Sequence, residues 1–204
     1  FQIEAIFLGQ AGLLELNTIP ERYQKDALND GYFSRLRNEY LYLSHKFSMQ
    51  PMDYKQWRFL RLRPQNFPHI RISQLANLYY NRRAGLSQLL EASTVKEAKQ
   101  VLSTSVTEYW ETHYTFGSTS IRNEKHLSPI SLNLPLINTV VPILVAYGRH
   151  RGEEKYCDRA FDFLEELKAE NNHIVRMWKE CGLPVENAGD SQALIQLKKD
   201  YCDR

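Results

Sequence analysis

The chain has 204 residues, of which 43% are hydrophobic and 25% charged, and its formal net charge is +2. A chain of that length can bury a substantial core, and that composition is ordinary for a soluble globular protein, which excludes a disordered, fibrous or membrane-embedded class. Cys157, Cys181 and Cys202 cannot all pair and lie far apart in sequence, so disulfides are not expected and a reduced, cytoplasmic protein is.

The chain begins Phe1-Gln2-Ile3-Glu4, without a Met, a basic leader or a signal-like apolar run, and so reads as part of a longer chain. Phe33, Leu36, Tyr40, Leu43 and Phe47 follow at alternating spacings of four and three, which predicts one apolar stripe on a helix from about Asp30 to Ser48. Gln50-Pro51 stops it. Beyond Pro68, well placed in a first turn, Ile72, Leu75, Ala76 and Tyr79 predict the apolar face of a second helix. A short helix over Leu86 to Glu91 ends near Ser93-Thr94, and Thr94 with Glu97 forms a capping box for Val95 to Leu102.

Leu136, Ile137, Val140, Val141, Leu144 and Val145 are apolar nearly all round, which predicts a central helix packed on most sides and the most buried segment of the chain. Pro142 should kink it and free the carbonyl of Asn138. Asn133, Asn138, Pro135 and Pro142 break the surrounding apolar stretch short of the roughly 20 residues a bilayer needs, so no membrane span is expected. Tyr156, Cys157, Ala160, Phe161, Leu164 and Leu167 predict a further stripe, followed by Ile174, Trp178 and Cys181 up to Gly182-Leu183-Pro184. Asp190 or Ser191 would cap a last helix carrying Leu194, Leu197 and Tyr201. No stretch shows sustained alternation at hairpin spacing. The fold class expected is all-α, a single compact multi-helix domain over residues 1–204 with a central apolar helix.

Three segments carry more than packing. The window from Tyr54 to Leu90 holds Lys55, Arg58, Arg61, Arg63, Arg71, Arg82 and Arg83 and no Asp or Glu, so the remainder of the chain carries −5. A local charge of that size attracts phosphates, carboxylates or acidic partners. Arg61 and Arg63 alternate with Leu60 and Leu62, so an extended backbone would place both guanidinium groups on one side, and each can clamp a phosphate through two donors. Arg58, Arg61, Arg63, Arg71 and Arg82 are the candidate anion- or nucleic-acid-binding set. The competing reading pairs them with the acids of Gly152 to Arg204, where twelve acids face eight bases. Trp57, Phe59 and Phe67 read as core anchors rather than stacking platforms.

Tyr109 to Gly117 (YWETHYTFG) offers Trp110, His113 and Tyr114 as a candidate pocket, with Glu111 and His113 as a possible acid–base pair; a packing histidine is the plainer reading. The six His and three Cys show no HxxxH, CxxC or HExxH spacing, so no metal and no cofactor is expected. The third segment, Asn187 to Cys202, presents a helix N-terminus that Asp190 already caps. There is no Walker loop, dinucleotide fingerprint or nucleophile elbow, and no catalytic residue is assigned.

The strings RLRPQNFPHIRISQLANLY (Arg61 to Tyr79), YWETHYTFG, LINTVVPILVAYG (Leu136 to Gly148) and NAGDSQALIQLKKDYC (Asn187 to Cys202), together with EAIFLGQAGLL (Glu4 to Leu14), resemble the C-terminal half of an uncharacterised bacterial family, domain of unknown function 2851. The resemblance implies a preceding N-terminal half, whose acidic motifs suggest a restriction-endonuclease-like nuclease, as the natural partner of this region. It also implies further cysteines beyond the end of the chain, with Cys202 the first ligand of any metal cluster they complete. The function expected is a non-catalytic accessory or interaction domain with a basic face. The alternatives are a non-specific nucleic-acid-binding module serving the upstream nuclease-like domain, and an Arg-lined small-anion pocket.

Overall fold

Asp30 shows how a helix start is written into this chain: its carboxylate accepts the N–H groups of Tyr32 at 2.8 Å and Phe33 at 3.4 Å, and the backbone turns into helix at the next residue. The computed structural model describes residues 1–81 and 85–202. Along them run α1 (Gln2–Gln10), α2 (Glu21–Asn29), α3 (Gly31–Phe47), α4 (Pro68–Asn81), α5 (Gly85–Glu91), α6 (Val95–Leu102) and α7 (Glu108–Glu111). A small hairpin of β1 (His113–Thr115) and β2 (Ser118–Thr119) follows, then α8 (Asn133–Pro135), α9 (Val141–Arg151), α10 (Glu154–Glu166), α11 (His173–Glu180) and α12 (Ala188–Leu197). The fold is all-helical as expected, with the short antiparallel hairpin added. Among the described residues no helix is long and apolar enough to cross a membrane.

The chain divides into two compact units, Phe1–Arg83 with Ser103–Leu127, and Ala84–Leu102 with Ser128–Arg204. In the first, α1 packs on α3 and α4. Gly9 is the reason α1 and α3 lie so close, because a Cβ there would stand 2.1 Å from the Tyr40 ring. The stretch from Glu4 to Leu14 is largely buried, more continuously than Leu136 to Val145, where Asn138, Thr139 and Pro142 are exposed.

Helix α4 buries His69, Ile70, Ser73, Gln74 and Ala76, while Leu75 and Tyr79 are exposed at 52% and 63%. The face expected from its apolar residues is therefore rotated towards polar ones. The cause is a polar seam: the Gln74 side-chain amide donates to the Lys125 carbonyl at 2.7 Å, and the Thr104 hydroxyl donates to the Gln74 carbonyl at 3.2 Å. Satisfied polar groups can occupy a core that periodicity assigns to leucine.

The second unit centres on Leu136, Ile137, Val140, Val141 and Leu144, joined by Ala160, Phe163 and Leu167 of α10 and its end. The apolar helix is present, but only one side of it is buried. Ahead of Pro142, Leu136–Val140 forms a π-helical turn; Pro142 has no N–H to offer the carbonyl four residues back and its ring crowds it, which widens the turn. On α10 it is Phe163, not Phe161, that enters the core. Asn187, three residues ahead of the expected Asp190, caps α12: it accepts the Asp190 N–H at 2.9 Å, and Asp190 returns the bond to its backbone. Cys181, expected on an apolar stripe, is exposed, and Cys157 is partly buried with its Sγ 3.8 Å from the Val145 carbonyl.

Candidate functional site

The basic window forms the loop from α3 to α4. Trp57, half-buried, fastens it to the first unit by donating its indole N–H to the Ala11 carbonyl at 2.8 Å. Single 3₁₀ turns at Tyr54–Gln56 and Pro64–Asn66 bound the segment between. There the Leu62 N–H donates to the Phe59 carbonyl at 3.2 Å, and Arg61 sits in the left-handed region at φ 65°. The expected extended alternation is thus replaced by a tight turn whose second central residue is Arg61. Lys55, Arg58, Arg61 and Arg63 are all exposed, and Leu60, at the turn, is 85% exposed. Among the described residues of the first unit, none of these four bases forms an ion pair; the pair found there between a basic side chain of another segment and a buried-side acid is Arg122 with Glu111 at 2.6 Å.

Arg71 behaves differently. It is half-buried and donates to the Gln74 side-chain oxygen at 3.0 Å and to that of Asn66 at 2.6 Å, so it ties the loop's end to α4; burial lowers its pKa. Arg82, with Arg83, lies outside the described residues.

A cleft of about 650 Å³ adjoins this loop. Phe59 and Phe67 line it from the loop, edge to face at 5.7 Å; Ile19 and Tyr23 line it from the entry to α2, and Tyr114 from β1. Phe67 is half-buried for this reason, where the sequence suggested a core ring. The sixth lining side chain that matters is His69, 1% exposed, packed against Phe59, Trp110 and Phe116 at 5.8, 5.6 and 5.5 Å between ring centres. Neither ring nitrogen of His69 has a hydrogen-bond partner. Burial pushes its pKa down to about 4, so the imidazole is neutral near pH 7.

Of the expected pocket residues, only Tyr114 faces the cleft. Trp110 is fully buried: its indole N–H donates to the Glu4 carboxylate, and its carbonyl accepts from the Lys125 ammonium. His113 stacks on Tyr109 at 4.0 Å with its Nδ1 2.9 Å from the Tyr109 carbonyl, and Glu111 pairs with Arg122, so no acid–base pair forms. Glu4 is 2% exposed and also accepts from the hydroxyls of Tyr32 at 2.8 Å and Thr107 at 3.2 Å. Lys125, 4% exposed, donates to the Glu111 carbonyl at 2.9 Å and lies 4.3 Å from the Tyr114 ring centre, with burial lowering its pKa. Neither residue was singled out in the sequence, although Glu4 is the lone charge in an otherwise apolar and small-residue run. No group of three or more His, Cys, Asp or Glu among the described residues is placed to hold a metal.

A family model described as a protein of unknown function (DUF2851) matches residues 1–173, which include the whole of the loop and the cleft. The chain matches no curated protein and no solved structure.

Proposed function

We propose, for a chain that belongs to the DUF2851 family of proteins of unknown function, a non-catalytic accessory role in which its exposed basic loop holds nucleic-acid backbone. The carrying observation is that Lys55, Arg58, Arg61 and Arg63 are exposed together on one short loop without an acidic partner among the described residues of their unit. Arginines recruited for stability would be expected beside carboxylates; free guanidinium forks suit phosphate oxygens. Arg61, Arg63 and Arg71 do not line the cleft, so nothing favours the Arg-lined anion pocket.

Three to five phosphate contacts give a log–log salt slope of about −3 to −4, with non-specific affinity near ~10⁻⁴–10⁻⁶ M. Fluorescence anisotropy with labelled single- and double-stranded oligonucleotides should show this between 50 and 200 mM salt, as an order-of-magnitude range for such titrations. Arg58→Ala/Arg61→Ala/Arg63→Ala should lower the magnitude of the slope by about 2–3. No binding at low salt, or an unchanged slope in the triple variant, would refute the role.

A further inference from the structure

His69 poses a physical problem. A buried polar atom without a partner is destabilising, and both ring nitrogens of His69 are in that position. His69 also lines the cleft, so a shift of its ring is enough to bring a nitrogen to a molecule held there. The cleft's volume of about 650 Å³ falls inside the ~300–1,000 Å³ typical of small-molecule sites. Most of its open wall is apolar, from Ile19, Tyr23, Phe59, Phe67 and Tyr114, and the entry to α2 adds the charged pair Glu21 and Arg22.

The chemistry of the inner end restricts the occupant. A neutral imidazole presents one N–H donor and one bare nitrogen acceptor. It offers no charge to an anion, and the surrounding Phe59, Trp110 and Phe116 offer none either. The buried end of a ligand must therefore be uncharged, flat enough to lie among rings, and edged with both donors and acceptors. Nucleobases meet all three conditions, since each carries donors or acceptors around a π-face that stacks on aromatic side chains. Negative charge on the same molecule belongs outside, where the loop that contributes Phe59 and Phe67 to the cleft carries Arg58, Arg61 and Arg63 on its exposed side. The loop thus turns aromatic rings towards the cleft and cations towards its exposed side, the division that a nucleotide itself has.

We propose that the cleft lined by Phe59, Phe67, Tyr114 and His69 is a nucleobase-binding site that accepts an unstacked base, with His69 bonding the base edge. This rests on the backbone-binding reading of the loop for the phosphates, and it adds that one base per bound strand leaves the stack.

The test compares three probes on the full chain: a labelled single-stranded 12-mer, the same strand with every base removed, and a free nucleoside followed by protein NMR shifts. The base-bearing strand should bind about tenfold more tightly than the base-free one, the size of effect that one stacked base gives. A 2-aminopurine in the strand should lose fluorescence on binding. Tyr114→Ala and His69→Phe should each abolish most of the difference while leaving the salt slope in place. Because His69 is a core residue, Ser118→Trp, which puts a ring into the cleft from a partly exposed position, serves as a second variant with the same expected loss. Free nucleoside shifting Tyr114 and Ser118 without strand binding would support the base site and overturn the loop's role. Equal affinity for the base-bearing and base-free strands, with no nucleoside shifts at the cleft, overturns the base site and leaves the loop's role standing.

Discussion

Trp110→Ala should reduce the unfolding free energy by about 3–5 kcal/mol, as truncation of a fully buried large aromatic does. Trp110 is 0% exposed and its ring contacts Phe116 at 5.0 Å, Tyr109 at 5.1 Å and His69 at 5.6 Å between centres. Truncation removes more than packing, because the Glu4 carboxylate loses its indole donor deep in the first unit. Trp110→Phe separates the two effects: it keeps most of the ring and removes only the indole donor to Glu4, which still accepts from Tyr32 and Thr107, and should cost about 1–3 kcal/mol. Urea unfolding of the three proteins gives the comparison. A loss below about 1 kcal/mol for the alanine variant would mean that the core around Glu4 collapses to fill the space or was never closely packed.

His69 should make the protein acid-sensitive in a defined window. Its pKa is 6.5 ordinarily and about 4 in the folded chain, lowered by burial. Below pH 6.5 the unfolded chain takes up a proton that the folded chain refuses, so the stabilisation is whole above pH 6.5 and is lost as pH falls towards 4. The drop from pH 7 to pH 4 attributable to this residue is about 3 kcal/mol. His69→Phe keeps a ring in the site and cannot titrate. The difference in unfolding free energy between pH 7 and pH 4 should therefore be smaller in the variant by that amount, whatever the acidic residues contribute in both proteins. Parallel curves for parent and variant would show that His69 is hydrated or partnered in solution.

The sequence disclosed the helices well and their burial less well. Phe33, Leu36, Tyr40 and Leu43 are buried as their spacing demands, and Asp30 caps where the pattern starts. That inference succeeded because the face is uniformly apolar, so periodicity and burial coincide. On α4 they part: Ser73 and Gln74 go inward to meet Thr107, Lys125 and Thr104, all distant in sequence, and no spacing rule sees partners supplied by another segment. The same holds for Leu136 to Val145, whose composition is apolar nearly all round although neighbours cover only one side. At the candidate site, charge was legible and geometry was not. Arg58, Arg61 and Arg63 are exposed, which the acid-free window alone left open, while Arg71 serves a local fastening role that depends on where Asn66 and Gln74 end up. The cleft was hidden because its walls come from three separated stretches around Ile19, Phe59 and Tyr114, and Phe59 and Phe67 look the same in sequence whether they fill a core or line a cavity.

Arg61 is held at φ 65°, a conformation that costs a side-chain-bearing residue roughly 1 kcal/mol and costs glycine almost nothing. Glycine at this one position would therefore relieve the turn and take one guanidinium off the exposed basic loop in the same step. An arginine in a turn that favours glycine makes Arg61 the point on this loop where backbone ease and exposed positive charge pull in opposite directions.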